Sequence, residues 1–234
     1  MVCGKQPTVK SHLLPAAVGR DIKGDQRSFL VGSRRHDGKT ITQSGIFDRI
    51  LCDPHERALH DYEEAAIAFC RTLAITAAER SRGVFIRHGV EANMLVRFAC
   101  SVLWRYHQSR RIEARGVDVG GWEPALRAVT FDGDMRRAPE VLTLVVDAPP
   151  VPADRFAVSP SRGRFDDRVV WNIVLYGLAF VVKLDKRPFP KVQHQTGVIN
   201  GRDHIGGKVQ TLTVADIREM QAITRRMKRG GPMR

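Results

Sequence analysis

The sequence predicts an α+β protein, and three observations carry that prediction. A helix-opening signal at Asp53-Pro54-His55-Glu56 leads into helical apolar spacing as far as Arg110. β-branched and aromatic runs fill 141–146 and 168–184. Cysteine-bearing turns stand at Cys3-Gly4-Lys5 and Cys52-Asp53-Pro54-His55. At 234 residues the chain can bury a real core, in one large domain or two small ones.

Taken in order, residues 1–50 are rich in Gly, Ser, Arg and Asp, and 19–45 alternate too irregularly for regular strands. They read as a long, basic, loop-like insertion with short strands. At Asp53 an N-cap, a Pro at the first helical position and an acid three residues on form a capping box. From there to Ser81, Leu59, Tyr62, Ala66, Phe69, Leu73 and Ala77 keep helical spacing, with a re-cap at Asp61 and Glu64 and a stop at Gly83. A second helix over Glu91 to Arg110 buries Met94, Leu95, Phe98, Val102, Leu103 and Tyr106.

A short helix is expected over Trp122 to Val129. Strands are expected over Val141–Val146, Arg168–Tyr176 and Leu178–Leu184, the last two turning near Gly177. Pro149 to Arg164, with four prolines, reads as a connector, and 201–206, around Asp203 and His204, as a loop. Thr213 to Asp216 caps a last helix that ends in Arg225, Arg226, Lys228 and Arg229.

The net charge of +13 is concentrated at the ends, and 169–234 alone carry 12 Lys and Arg against 4 Asp and Glu. Such a balance draws a chain to polyanions by counterion release, and nucleic acid is the commonest polyanion in a cytoplasm. Charge gives neither sequence preference nor chemistry. The longest apolar run, Val169 to Val182, is broken by Trp171, Asn172 and Gly177 and falls short of a membrane span. No secretory leader opens the chain, so a reducing cytoplasm is expected, and with it thiols or metal ligands instead of disulfides. No P-loop, Gly-x-Gly-x-x-Gly or Ser-His-Asp pattern is present.

Tetrahedral zinc needs ligands that converge without stretching the backbone, which a two-residue gap or a glycine turn supplies. Cys3-Gly4 has the look of half such a knuckle, and Cys52 with His55, at the opening of a helix, supplies a pair at C-x2-H spacing. Cys3, Cys52 and His55 are therefore the expected zinc ligands. The partner of Cys3 in a C-x2-C would fall one residue before Met1, which leaves either three protein ligands or an upstream start. The plainer alternative makes Cys3 a stray thiol and Cys52 a buried small hydrophobe. Cys70 and Cys100 fall on apolar helix faces and read as core.

The string Lys10-Ser11-His12-Leu13-Leu14-Pro15 resembles the central His-hydrophobic-hydrophobic-Pro signature of HNH, or ββα-metal, endonucleases. A half-knuckle precedes it and Cys-x2-His follows at a helix start, in the family's order. It looks most like a divergent bacterial and phage branch in which Ser replaces the acid before His, and a Gly-aromatic-Asp segment, here Gly45 to Asp48, leads into the second knuckle. The resemblance covers about a third of the chain.

It implies an N-terminal zinc-stapled ββα module over 1–82, while the local patterns make 83–148 a helical region and 149–234 a small β-rich part with a basic helix. It also implies a metal-dependent nuclease acting on DNA, from a phage or mobile element, with structural zinc and catalytic magnesium or manganese. His12 would be the general base that activates water, with Asp48 and Glu56 at the positions of the family's other motif residues. Ser11 stands where the family has an acid, and Glu56 where it has a final histidine. A structural reading stands beside each residue: Glu56 as the capping-box acid, Asp48 as a turn former, His12 as the vacant zinc ligand or a hydrogen-bonding partner within the ββ turn. Expected nucleic-acid contacts are Arg34, Arg35, Lys39 and Arg105. The second expectation, from another class, is a non-catalytic zinc module that binds nucleic acid or a protein partner.

Overall fold

A computed structural model describes residues 7–25, 29–32, 39–42, 45–147, 157–192 and 197–211. Cys3, Arg34, Arg35 and the predicted C-terminal helix lie outside them. The chain is α+β, as the sequence predicts, with elements in the order β1 (Thr8–His12), α1 (Ala16–Lys23), β2 (Phe29–Gly32), β3 (Lys39–Thr42), β4 (Phe47–Cys52), α2 (Asp53–Arg57), α3 (His60–Thr72), α4 (Ala77–Arg82), β5 (Val84–His88), α5 (Ala92–Gln108), α6 (Glu123–Arg127), β6 (Val141–Asp147), β7 (Ala157–Phe165), β8 (Arg168–Leu175), β9 (Leu178–Lys183) and β10 (His204–Thr211). No helix among the described residues is long and apolar enough to cross a membrane.

Two sheets organise these elements. β1 and β4 form an antiparallel pair, and the other eight strands lie in the order β3-β2-β7-β8-β9-β6-β10-β5. This sheet draws strands from 29–42, 84–88, 141–183 and 204–211, so its hydrogen bonds cross both boundaries expected at 82 and 148.

α5 lies against the large sheet. Its residues from Leu95 to Tyr106 are buried almost all round, the pattern of a helix enclosed on every side. Phe98 packs edge-on to Phe180 of β9 with centroids 5.8 Å apart, and the Tyr106 hydroxyl meets that of Ser159 on β7 at 3.0 Å. Burial pushes the core thiols of Cys70 and Cys100 up, that of Cys70 to about 12. On the other face of the sheet a smaller cluster joins Leu142, Val170, Val181, Phe189 and Val198.

Several local expectations are corrected. The helix expected over 53–81 is three helices: the chain turns at Ala58, goes extended at Leu73, and restarts at Thr76. The capping box closes at Thr76 and Glu79, not at Asp53, where no side chain caps the helix. Gly83 ends α4 in the left-handed region, as expected. The connector expected through Arg164 is strand from Ala157, and Pro160 is accommodated because it falls within the register shift between Val158 and Ser161. The loop expected around His204 is also strand. Its two glycines are packing requirements, since a Cβ on Gly207 would lie 1.9 Å from the Thr143 carbonyl oxygen on parallel β6. The hairpin at Gly177 forms as expected, with Tyr176 and Gly177 both at positive φ, the signature of a type I′ turn.

Candidate active site

The small β1–β4 pair carries the site. Thr8 is opposite Cys52, Ser11 opposite Asp48 and His12 opposite Phe47, with an irregularity between Val9 and Ser11. Alternation sends Ser11 and Ile50 inward, while Lys10, His12, Phe47 and Arg49 keep solvent contact; at its end β4 is buried on both faces, with Leu51 and Cys52 covered as well. The Lys10 ammonium sits 3.9 Å from the Phe47 ring centroid, and the His12 ring lies 6.0 Å from it at a tilt.

β4 runs directly into α2, which carries Glu56 against the end of β1. Burial pushes the Glu56 carboxyl above its ordinary value, against the pull of Arg105, the Ser11 hydroxyl and the His12 amide. The approach of the hydroxyl falls short of a full hydrogen bond, for Ser11 Oγ and Glu56 Oε2 are both buried without one. Two orphaned buried oxygens on adjacent elements are costly in a fold unless a ligand satisfies them. Glu56 is thus not the capping acid that its sequence context suggests.

Arg105 holds the strand end in place. Its side chain is 1% exposed; Nη1 donates to the His12 carbonyl at 2.7 Å, Nε to Ser101 O at 3.3 Å, and Nη2 pairs with Glu63. Burial raises the Glu63 carboxyl, and Arg105 opposes that shift. The expectation that Arg105 touches nucleic acid is corrected, because its guanidinium is turned wholly inward. One signal pointed to this: Arg105 follows Leu95, Phe98 and Val102 on the stripe of α5 that faces the core.

Asp48 sits beside His12 but is already engaged. Burial alone would raise its carboxyl, yet the Ser109 hydroxyl at 2.8 Å and the amides of Arg49 at 2.7 Å and Arg110 at 3.0 Å outweigh it and hold the group below its ordinary value. Asp48 anchors β4 to the end of α5, a role that neither the turn-former nor the motif reading foresaw. Lys39 lies on β3 at the far edge of the large sheet. His60 faces solvent beside Glu64 at 3.4 Å.

Cys52 and His55 do converge, with Sγ and Nδ1 3.0 Å apart. Ligands at zinc-sulfur and zinc-nitrogen distances of about 2.3 and 2.0 Å, set at a tetrahedral angle, stand roughly 3.5 Å apart, so this pair is close to fitting one ion. The His55 ring is braced edge-on by Phe131 at 5.0 Å, and Phe131 by Trp104 at 5.1 Å. Among the described residues no third His, Cys, Asp or Glu joins them, so the expected zinc staple is not shown, and Cys52 and His55 stand as two of its three expected ligands.

The sequence signature thus brings His12, Asp48 and Glu56 to one end of a hairpin-and-helix, with Cys52 and His55 at its hinge. No family model, curated protein or solved structure matches the chain.

Proposed function

We propose that this chain is an HNH-like, metal-dependent nuclease or nucleic-acid-processing protein acting on DNA, working in the reducing cytoplasm and centred on His12. The observation that carries the reading is the course of the chain: β1, its partner β4, then α2 set His12 next to a half-buried carboxyl group whose Oε2 is buried and unsatisfied. The resemblance of the Ser11-His12-Leu13-Leu14-Pro15 string supports it independently.

In this reading the half-exposed His12 imidazole removes a proton from water, and the Arg105 bond to its carbonyl fixes the strand from which the ring projects. Glu56 would hold a magnesium or manganese ion, which supplies charge stabilisation at a phosphate when bound. Cys52 and His55, with Cys3 outside the described residues, would hold a structural zinc. Lys10 and Arg49 flank His12 with positive charge suited to a DNA backbone.

A second reading has its own support. Ser11 replaces an acid and Asp48 is consumed by Ser109 and Arg110, which leaves Glu56, among the described residues, as the available carboxylate of the site. That is the arrangement of a non-catalytic zinc module that binds nucleic acid or a protein partner.

Metal analysis combined with magnesium- and manganese-dependent plasmid cleavage separates the two, using wild type, His12→Ala and Glu56→Gln. Zinc near one per chain with cleavage lost in both variants is the nuclease outcome. Zinc without cleavage is the binding module. Absence of both removes the HNH-like reading altogether.

A further inference from the structure

β5 ends the large sheet, and among the described residues nothing pairs with its outer edge. The register against β10 fixes which main-chain groups face outward. Val209 donates its amide to the Gly83 carbonyl at 2.8 Å, and Lys208 is opposite Val84. In an antiparallel ladder hydrogen-bonded pairs alternate, so Phe85 and Arg87 turn their N–H and C=O toward β10. Val84, Ile86 and His88 therefore turn theirs outward. Among the described residues one of these groups is already used, the Ile86 carbonyl, by Arg87 Nη1 at 2.7 Å.

The side chains at this edge are equally unusual. Val84 is 45% exposed and Ile86 49%, on a strand end that proteins ordinarily protect with charge or proline. With Val198, Gly206 and Gly207 they line a cavity of about 320 Å³. Through Gly197 it adjoins a second of the same volume, lined in part by Leu142, Leu144 and Lys208. Arg82, Arg202 and His204 border the first cavity, and among the described residues no carboxylate lines either one.

We propose that the outer edge of β5 is a docking site for an extended, acidic peptide segment of a partner protein, added to the sheet as a further strand. The partner would present two apolar residues at alternate positions, beside Val84 and Ile86, with Asp or Glu on either flank facing Arg82 and Lys208. The outward amides of Val84, Ile86 and His88 match a peptide backbone, the means by which strand addition gains affinity. Nucleic acid fits less well, because the exposed wall is aliphatic and Phe85, at 3% exposure, offers no ring for base stacking. The site is remote in sequence and sheet from His12 and does not depend on the nuclease reading.

The test uses the full chain and a fluorescein-labelled peptide, Asp-Asp-Val-Thr-Val-Asp-Asp, followed by anisotropy and by hydrogen exchange of the β5 amides. Ile86→Pro removes an outward N–H and leaves the inward bonds of Phe85 and Arg87 in place. Val84→Glu places a like charge in the groove and serves if the proline variant fails to fold. Binding with protection of the Val84 and His88 amides is expected, weakened at least about tenfold, or about 1.4 kcal/mol, in either folded variant. The same peptide with Lys for Asp should not bind. Absence of binding at about 1 mM wild-type protein overturns the proposal. So does equal binding by the variants, or displacement of the peptide by oligothymidylate.

Discussion

Arg105 on α5 donates from Nη1 to the backbone carbonyl of His12 at 2.7 Å, although the two residues stand 93 positions apart. A buried cation thus anchors the strand end that carries the candidate base, and the same guanidinium neutralises Glu63. Removing one partner of such a pair leaves the other as an uncompensated buried charge.

Arg105→Leu is accordingly expected to lower unfolding free energy by about 3–5 kcal/mol in urea titrations. Adding Glu63→Leu should restore most of that loss, since replacing a whole buried pair by apolar groups is close to neutral. A double variant as unstable as the single would show that the bond to His12, and not the charge pair, dominates.

Glu56 makes the opposite kind of prediction. Its carboxyl is raised above the ordinary value of 4.5, so the unfolded chain releases this proton first as pH rises, and stability falls across the interval up to the folded-state value. Glu56→Gln removes this penalty and should melt higher than wild type at pH 7, with the gap closing below pH 4.5. Manganese should raise the melting temperature of wild type and leave Glu56→Gln unmoved. An identical metal response in both would exclude Glu56 as a ligand.

The Tyr176 hydroxyl donates to Asp21 Oδ2 at 2.5 Å, and Arg71 reaches the same carboxylate at 2.7 and 3.0 Å, so one acid ties the β8–β9 turn, α1 and α3 together. Tyr176→Phe should cost about 1.5–3 kcal/mol, the range for a hydrogen bond to a charged group. Burial works to raise Asp21, but Arg71 and Tyr176 prevail and hold it below 3.8. Its contribution is therefore present above that value and is lost as pH falls below it. Acid titrations of wild type and Tyr176→Phe should converge there.

Gly207→Ala tests the packing of β10. A Cβ 1.9 Å from the Thr143 carbonyl oxygen cannot be absorbed by a side-chain rotation, because the obstacle is backbone. Loss of about 3 kcal/mol or more, or no folded protein, is expected from thermal melts. Gly201→Ala has open space around it and suffers only from its φ of +70°, so it should cost less.

Much of the fold was legible where local signals were strong. The apolar stripe of α5, the stop at Gly83 and the turn at Tyr176-Gly177 each follow from residues within a few positions of one another. β7 was hidden because Pro160 marks a connector unless a bulge receives it, and β10 because Gly206 and Gly207 make sense only beside Thr143 and Phe85, far away in the chain. The site divides in the same way. His12, Asp48 and Glu56 could be listed from the family resemblance, but what occupies each was decided by Arg105 on α5 and by Ser109 and Arg110 just past its end, which that resemblance does not connect to them.

Between His12 and Phe47 the chain does not idle in a loop: α1 packs on the core, and the β2–β3 pair is laid against β7 of the large sheet. The two strands of the small hairpin are thereby stitched into the body from the inside as well as from their ends. A fragment cut after residue 82 would leave β2 without β7 and Glu63 without its cation. The candidate site is for that reason no portable cassette. Its geometry is a property of the whole assembled chain, and transplantation into another scaffold would carry the motif without the shape.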